Sequence, residues 1–123
     1  MTEARLSLGK EGEIFASKFL KKKGYKIKET NYRSPLGEVD IIAMDGKTLV
    51  FIEVKTRRNM AFGHPAEAVN KRKQLQIAKT AQHYLSSKKL TNHEARIDVV
   101  SVLAKEGCEM EAEVISNAFE LSY

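Results

Sequence analysis

The chain has 123 residues and a mass of 13.9 kDa, enough for one domain that buries roughly two-thirds of its unfolded surface. Hydrophobic residues make up 42% and charged residues 30% of it, proportions that exclude collagen-like, low-complexity and disordered chains. Its 21 Lys and Arg exceed its 16 Asp and Glu, and the net charge of +5 favours a polyanionic partner. We expect a single domain over residues 1–123, with residues 1–8 flexible.

Apolar runs and cysteine content exclude further classes. The longest uninterrupted apolar runs, such as Leu49–Ile52, are far shorter than the ~20 residues that a membrane-spanning helix needs. The first residues include an acid and lack the apolar segment of a secretory signal. Cys108 is the only cysteine, which excludes an internal disulfide and a cysteine-rich metal site. We expect a cytoplasmic protein without a membrane partner.

Hydrophobic spacing and turn signals predict two helices and five strands. Apolar residues such as Phe15 and Phe19 recur at helical spacing, and Gly24 is placed to end that helix. Asp45-Gly46 signals a tight hairpin, and Arg57 to Pro65 is predicted to be a polar loop. The predicted elements are a helix over 9–23, strands over 25–32, 38–43 and 49–55, a helix from Pro65 or Asn70 to Leu85, and strands over 96–103 and 113–119. This order, α-β-β-β-α-β-β, predicts an α/β fold with a mixed β-sheet flanked by helices.

Charged residues appear abruptly where the third predicted strand ends. Glu53 and Lys55 lie two positions apart and therefore project from one face. If Asp45-Gly46 is a two-residue loop, Asp40 lies opposite Phe51. The carboxylates of Asp40 and Glu53 are then diagonal neighbours on one face, about 7–8 Å apart at the backbone. A three-residue loop would instead turn Asp40 to the other face.

Two neighbouring carboxylates repel each other unless a cation lies between them, and oxygen-only ligands favour Mg²⁺ or Mn²⁺. Such an ion can polarise a phosphodiester and activate water, while an adjacent lysine offsets the developing charge. These are the parts of a phosphodiester hydrolase. The structural alternative is that Glu53 and Lys55 form an exposed pair and Asp40 caps a strand end. Glu13 either points toward the sheet or occupies the first turn of its helix, where the helix dipole favours an acid.

Several motifs make the chain recognisable. They are Gly9-Lys10-x-Gly12-Glu13, Asn31-Tyr32-Arg33, Gly37-Glu38-Val39-Asp40-Ile41-Ile42, Val50-Phe51-Ile52-Glu53-Val54-Lys55-Thr56-Arg57 and Arg96-Ile97-Asp98-Val99-Val100. From Gly9 to about Phe119 the chain resembles the YraN-like family of small bacterial proteins, which looks restriction-endonuclease-like and is similar to archaeal Holliday-junction resolvases. The resemblance implies a restriction-endonuclease-like fold. It also implies that Asp40 and Glu53 hold the metal, that Lys55 serves the attacking water and that Glu13 completes the acidic cluster.

Basic residues near these motifs are candidates for binding nucleic acid, although a solvated surface is the favoured explanation of any single cluster. Two follow the strand of Lys55, and the others, with one glutamine, lie near the start of the second helix, where backbone N–H groups also attract phosphate. They are Arg57, Arg58, Lys71, Lys73 and Gln74. Asp98, two positions from Arg96, is interpreted as structural.

These observations predict a metal-dependent endonuclease that hydrolyses phosphodiester bonds in DNA rather than RNA, with branched DNA suggested by the resemblance alone. The alternative is a nucleic-acid-binding or adaptor protein that keeps the nuclease fold without turnover. A third hypothesis makes the charged set an ion-pair network of a protein-interaction module, which the basic clusters fit poorly. Symmetric resolution of a four-way junction needs a two-fold dimer, so a homodimer is also a prediction.

Overall fold

A computed structural model describes residues 3–59 and 69–122, which form one five-stranded sheet and two helices. The order α-β-β-β-α-β-β confirms the predicted α/β fold. The elements are α1 (Glu3–Lys22), β1 (Lys26–Ser34), β2 (Gly37–Asp45), β3 (Thr48–Arg57), α2 (Lys71–Ser87), β4 (Ala95–Leu103) and β5 (Glu111–Phe119). Within these ranges, no helix combines the length and apolar character that crossing a membrane requires.

The sheet is mixed, as predicted. Its strands lie side by side in chain order, β1-β2-β3-β4-β5, with β3 and β4 parallel and every other neighbouring pair antiparallel. The segment that contains α2 makes the crossover between the two parallel strands. The last residues of β3, from Glu53 to Arg57, therefore lie beside the last residues of β4, at the end of the sheet where both strands finish.

The two helices cover opposite faces of the sheet. On one face, Ile77 of α2 belongs to the same buried cluster as Phe51 of β3. On the other face, Leu20 of α1 belongs to a second cluster with Val50 and Ile52. Successive residues of β3 thus alternate between the two cores. Because β3 is buried on both faces, its sequence is continuously apolar until the charged residues begin.

The ends of the predicted helices need two corrections. Helix α1 begins at Glu3 rather than at Gly9, so residues 3–8, which were expected to be flexible, are helical. Helix α2 begins at Lys71, and the side chain of Asn70 accepts a 2.8 Å hydrogen bond from the backbone N–H of Lys73. Asn70 is therefore the cap. The alternative start at Pro65 lies outside the described residues, as does most of the predicted loop.

The β2–β3 hairpin has a different register from the predicted one. Asp45 pairs with Thr48, so the turn consists of Gly46 and Lys47 rather than Asp45 and Gly46. Asp45 stays in its strand because its Oδ2 accepts a 2.7 Å hydrogen bond from Arg96, and Gly46 supplies the positive φ, 60°, at the first turn position. The pairing is displaced by two positions, so every side chain keeps its predicted face.

Arg96 also holds a buried carboxylate. Its Nε donates to Asp98 Oδ1 at 2.9 Å, and the hydroxyl of Tyr25 donates to Asp98 Oδ2 at 3.3 Å. The backbone N–H of Asn117 supplies a further bond of 2.8 Å to Oδ1. Asp98 is fully buried, and a buried carboxylate persists where it is paired in this way. These contacts fit the structural interpretation of Asp98.

Candidate active site

A cleft of about 770 Å³ opens at the carboxyl end of β3. Its walls come from α1, from the paired strands β1 and β2, and from the first turn of α2. All four predicted catalytic residues line it, together with three of the five residues predicted to bind nucleic acid. They are Glu13, Asp40, Glu53, Lys55, Arg57, Arg58 and Lys73. The fold therefore assembles one site from side chains on four separate elements.

Two carboxyl groups lie at the centre of this cleft. The observed register places Asp40 directly across from Glu53, one position beyond the last regular pair of the hairpin. The predicted arrangement, with Asp40 opposite Phe51, is wrong, but the prediction that the two acids share a face holds. Asp40 Oδ2 accepts a 2.8 Å hydrogen bond from the backbone N–H of Val54, which fixes the orientation of this half-buried side chain.

The environment raises the pKa of Glu53 to about 8. Burial is the largest cause, since only 6% of the residue is exposed, and the charge of Asp40 and a hydrogen bond between the two side chains add to it. Lys73 and Lys55 act in the opposite direction. At neutral pH Glu53 therefore keeps its proton, and its side chain is hydrogen-bonded to Asp40. Glu53 is too deeply buried to belong to an exposed ion pair.

Two lysines flank the acid pair. Lys55 Nζ lies 3.8 Å from Glu53 Oε2, and 35% of the Lys55 side chain is exposed to the cleft and solvent. Lys73 comes from the first turn of α2 and is close enough for its charge to lower the proton affinity of Glu53. The buried acid pair therefore faces positive charge from two directions.

Helix α1 brings Glu13 to the same place because it packs unusually closely on β3. A Cβ atom on Gly12 would overlap the side chain of Thr56, so only glycine permits this approach. Glu13 is far from the first turn of a helix that starts at Glu3, so the helix-dipole alternative is wrong. Burial raises the pKa of Glu13, and the charges of Asp40 and Glu38 raise it further.

Two predicted nucleic-acid contacts lie elsewhere. Lys71 and Gln74 line a separate cleft of about 390 Å³ between α2 and the end of the chain. The side chain of Gln74 donates a 2.8 Å hydrogen bond to the backbone carbonyl of Val69, which directs it away from the acids. Consecutive residues of a helix point to different sides. A position in the first turn therefore could not predict that Lys73 lines the cleft of the acids while Lys71 and Gln74 do not.

The sequence analysis assigned no role at the site to several residues that line the cleft, although the first three of them lie within its quoted motifs: Asn31, Arg33, Glu38 and Asn59. Asn31 is the most informative of them. Thr30 pairs with Ile41 and Tyr32 with Val39, so Asn31 lies across from Asp40 on the neighbouring strand. The first strand was predicted to end at Tyr32. If it had been extended to Ser34, the turn at Pro35 would have indicated that Asn31 lies across from Asp40.

The oxygen ligands in the cleft fit a divalent cation. Across residues 3–59 and 69–122, no group of three or more His, Cys, Asp or Glu is arranged to hold a metal, so Asp40 and Glu53 would be the two acidic ligands. Mg²⁺ typically binds one or two carboxylates and completes its octahedral shell with waters and substrate phosphates. The charge of Asp40 contributes to the raised pKa of Glu53, and a cation bound between the two side chains would offset this repulsion.

Comparison with known proteins identifies a family. Residues 12–102 match the sequence model of a family that is described as "Uncharacterised protein family UPF0102". A UPF0102 protein from Dictyoglomus thermophilum is 52% identical over 113 residues, covering 91% of this chain and 96% of its own length. Another from Geotalea uraniireducens is 51% identical over 117 residues, with 95% and 92% covered. This is the YraN family, which is restriction-endonuclease-like, so the resemblance seen in the motifs is confirmed. The names of these relatives state no activity.

Proposed function

We propose that this chain, which belongs to the uncharacterised protein family UPF0102, is a metal-dependent nuclease that hydrolyses phosphodiester bonds in DNA. The observation that carries the proposal is the pairing of Asp40 and Glu53 across one hairpin in an open cleft, with Lys55 Nζ 3.8 Å from Glu53. A buried acid pair lowers stability, and such perturbed groups concentrate at functional sites. Two lysines and three arginines line the cleft and supply positive charge that favours binding of a phosphodiester.

Asp40 and Glu53 would hold Mg²⁺ or Mn²⁺ through their carboxylate oxygens. When bound, such an ion polarises a phosphodiester oxygen and lowers the pKa of a bound water. Val54 keeps Asp40 in place through its backbone N–H, so one oxygen of Asp40 is occupied and the other can face the cleft. Glu53 must give up its proton for the site to fill, which makes occupancy more favourable as the pH rises toward 8.

Lys55 is the residue best placed to act on the attacking water. Its Nζ lies 3.8 Å from Glu53 and a third of its side chain reaches into the open cleft, so it can donate hydrogen bonds to a water and to a phosphate oxygen at once. Its positive charge then offsets the negative charge that builds on the phosphate in the transition state. Glu13, from the opposite wall, would orient that water or a water bound to the cation.

Arg57, Arg58 and Lys73 would hold the phosphates on either side of the scissile bond. All three line the cleft, and Arg58 is exposed. Contacts of this kind position a strand without reading its bases, so we expect little sequence specificity. The choice of DNA rather than RNA rests on the likeness of the family to junction resolvases, and a homodimer stays a prediction.

Cleavage of labelled nucleic acids tests the proposal. Single-stranded, duplex, flap and four-way-junction DNA, and an RNA, are incubated with Mn²⁺, Mg²⁺ or EDTA. We expect cleavage with either ion and none with EDTA. Lys55→Ala should lower the rate by about 100-fold or more, because a positioned proton donor typically contributes that much. Lys47→Ala, at the exposed turn of the same hairpin, is the matched control and should cleave like the wild type.

Mn²⁺ binding measured by electron paramagnetic resonance gives a second readout that does not depend on turnover. Asp40→Asn should abolish binding, whereas Lys55→Ala should retain it. Cleavage that survives Asp40→Asn would refute the assigned ligands. Salt-sensitive DNA binding without cleavage in any metal would instead favour an adaptor protein that keeps the nuclease fold.

A further inference from the structure

A second groove of about 660 Å³ continues the catalytic cleft between α1 and β1. The two cavities share five lining residues, Gly9, Glu13, Asn31, Arg33 and Asp40. A ligand held at the acid pair therefore has a direct path into this groove. Lys55 does not line this groove, and the residues that line it without lining the cleft, such as Ile14 and Ser17, have no role in the proposed chemistry.

The groove presents an apolar surface next to charged groups. Ile14 of α1 lines it and is 50% exposed, although it lies one position from Glu13. Among the described residues, the other large apolar side chains exposed to a similar degree are Leu36, at the β1–β2 turn, and Leu75, on α2. Ile14 differs from both because it lies beside the proposed reaction site. An aliphatic side chain in such a place can pack against the flat face of a nucleobase.

Asn31 connects the groove to the cleft. It lies across from Asp40, lines both cavities and has a φ of 53°, a left-handed conformation that few residues other than glycine adopt. Asparagine tolerates this backbone better than most residues, and its amide can both donate and accept hydrogen bonds. A side chain held there can reach a base edge or the phosphate next to it. The exposed pair of Arg33 and Glu38, 3.3 Å apart, adds a cation that can exchange its partner for phosphate at little cost.

We propose that this groove binds an unpaired nucleobase next to the scissile phosphate, so that the substrate is single-stranded or locally unpaired nucleic acid. Ile14 packs against the face of the base, and Asn31 bonds to its edge or to the adjoining phosphate. In an intact duplex a base is stacked and paired, and entering a side groove would require it to leave the stack. The inference takes the position of the scissile phosphate from the proposed nuclease function.

Binding without metal tests this site independently of cleavage. Fluorescein-labelled single-stranded 12-mer DNA, its duplex, and a 12-mer strand of abasic nucleotides are titrated with the full chain in EDTA, and anisotropy is recorded. We expect the single strand to bind more tightly than both other ligands. Ile14→Ala should weaken binding of the single strand about 5- to 30-fold, the lower part of the range found when an aromatic side chain that stacks on a base is replaced by alanine. It should not change binding of the abasic strand or the dependence on salt, because Ile14 carries no charge.

Two pairs of variants separate the groove from general effects on the fold. Asn31→Gly keeps the left-handed backbone and removes the amide, and should weaken single-strand binding. Asn117→Gly makes the same change at another asparagine of positive φ, 52°, far from the cleft, and should bind like the wild type. Leu75→Ala removes an exposed apolar side chain that is 41% exposed on α2 and serves as the control for Ile14→Ala.

Each result decides the matter. Equal binding of single strand and duplex, or wild-type binding by both Ile14→Ala and Asn31→Gly, would overturn the base site even if the protein cleaves DNA. Base-dependent binding that both variants weaken, in a protein that cleaves nothing in Mn²⁺ or Mg²⁺, would support the base site and overturn the nuclease. Equal losses on the abasic strand would show that the variants disturb phosphate contacts instead, and would also refute the inference.

Discussion

Replacing Glu53 by glutamine is expected to stabilise the metal-free protein at alkaline pH. Glutamine is nearly isosteric with a protonated glutamic acid and keeps a donor for the hydrogen bond to Asp40. The pKa of Glu53 rises from 4.5 to about 8 on folding. At about 1.4 kcal/mol per pH unit, the difference corresponds to about 5 kcal/mol of stability that ionisation of Glu53 costs the folded state.

The sign follows from proton binding. Above pH 4.5 the unfolded chain releases the Glu53 proton while the folded chain keeps it, so the cost grows as the pH rises and is complete above pH 8. Glu53→Gln removes the titrating group. The variant should therefore match the wild type near pH 4.5 and exceed it by several kcal/mol at pH 9.

Urea unfolding in EDTA at pH 4.5, 7 and 9 measures this difference. Glu113→Gln, at an exposed position of β5, is the control and should stay within about 0.5 kcal/mol of the wild type at each pH. A Glu53→Gln variant whose gain does not depend on pH, or which is destabilised at pH 9, would refute the reasoning. The same variant should lose Mn²⁺ binding, because a neutral amide is a poor ligand for a hard cation.

Two further changes test how the site is supported. Gly12→Ala should lower the free energy of unfolding by about 1–3 kcal/mol, because the added methyl group would push α1 away from Thr56. Gly9→Ala has open space around it and should raise the free energy of unfolding by up to about 1 kcal/mol. Urea unfolding compares the two variants, and equal effects would contradict the close contact. Arg96→Met should cost about 3–5 kcal/mol by leaving the carboxylate of Asp98 buried without its cation, and an unchanged melting temperature would contradict that role.

The fold could be predicted from sequence because its signals are local. Apolar and β-branched runs predicted β2, β3 and β4, Gly24 ended the first helix as expected, and Asn70 was one of the two predicted starts of the second. The hairpin register could not be predicted, because the Asp-Gly signal competes with a contact between Asp45 and Arg96, a residue far along the chain. Tertiary contacts of this kind leave no trace in the local pattern.

The same distinction applies to the site. Asp40, Glu53 and Lys55 could be grouped because one hairpin carries all three and face parity survives a two-residue shift. Asn31 was missed because its place depends on the pairing of a less regular strand, which has a register irregularity after Ile27. The sequence could not place Gln74 relative to the acids, because the direction of a helical side chain depends on how the helix docks.

Asp40 and Glu53 lie close together along the chain, whereas Glu13 and Lys73 lie farther from them. Asp40 and Glu53 belong to one hairpin, an element that closes over a short loop and forms in about 1–10 μs. Glu13 and Lys73 reach the cleft only when both helices have docked, which requires longer loops to close. If the hairpin forms first, the two carboxylates and Lys55 meet before Glu13 and Lys73 arrive. A cation that binds this early hairpin would favour the native register, and the helices would then complete a site whose centre already exists.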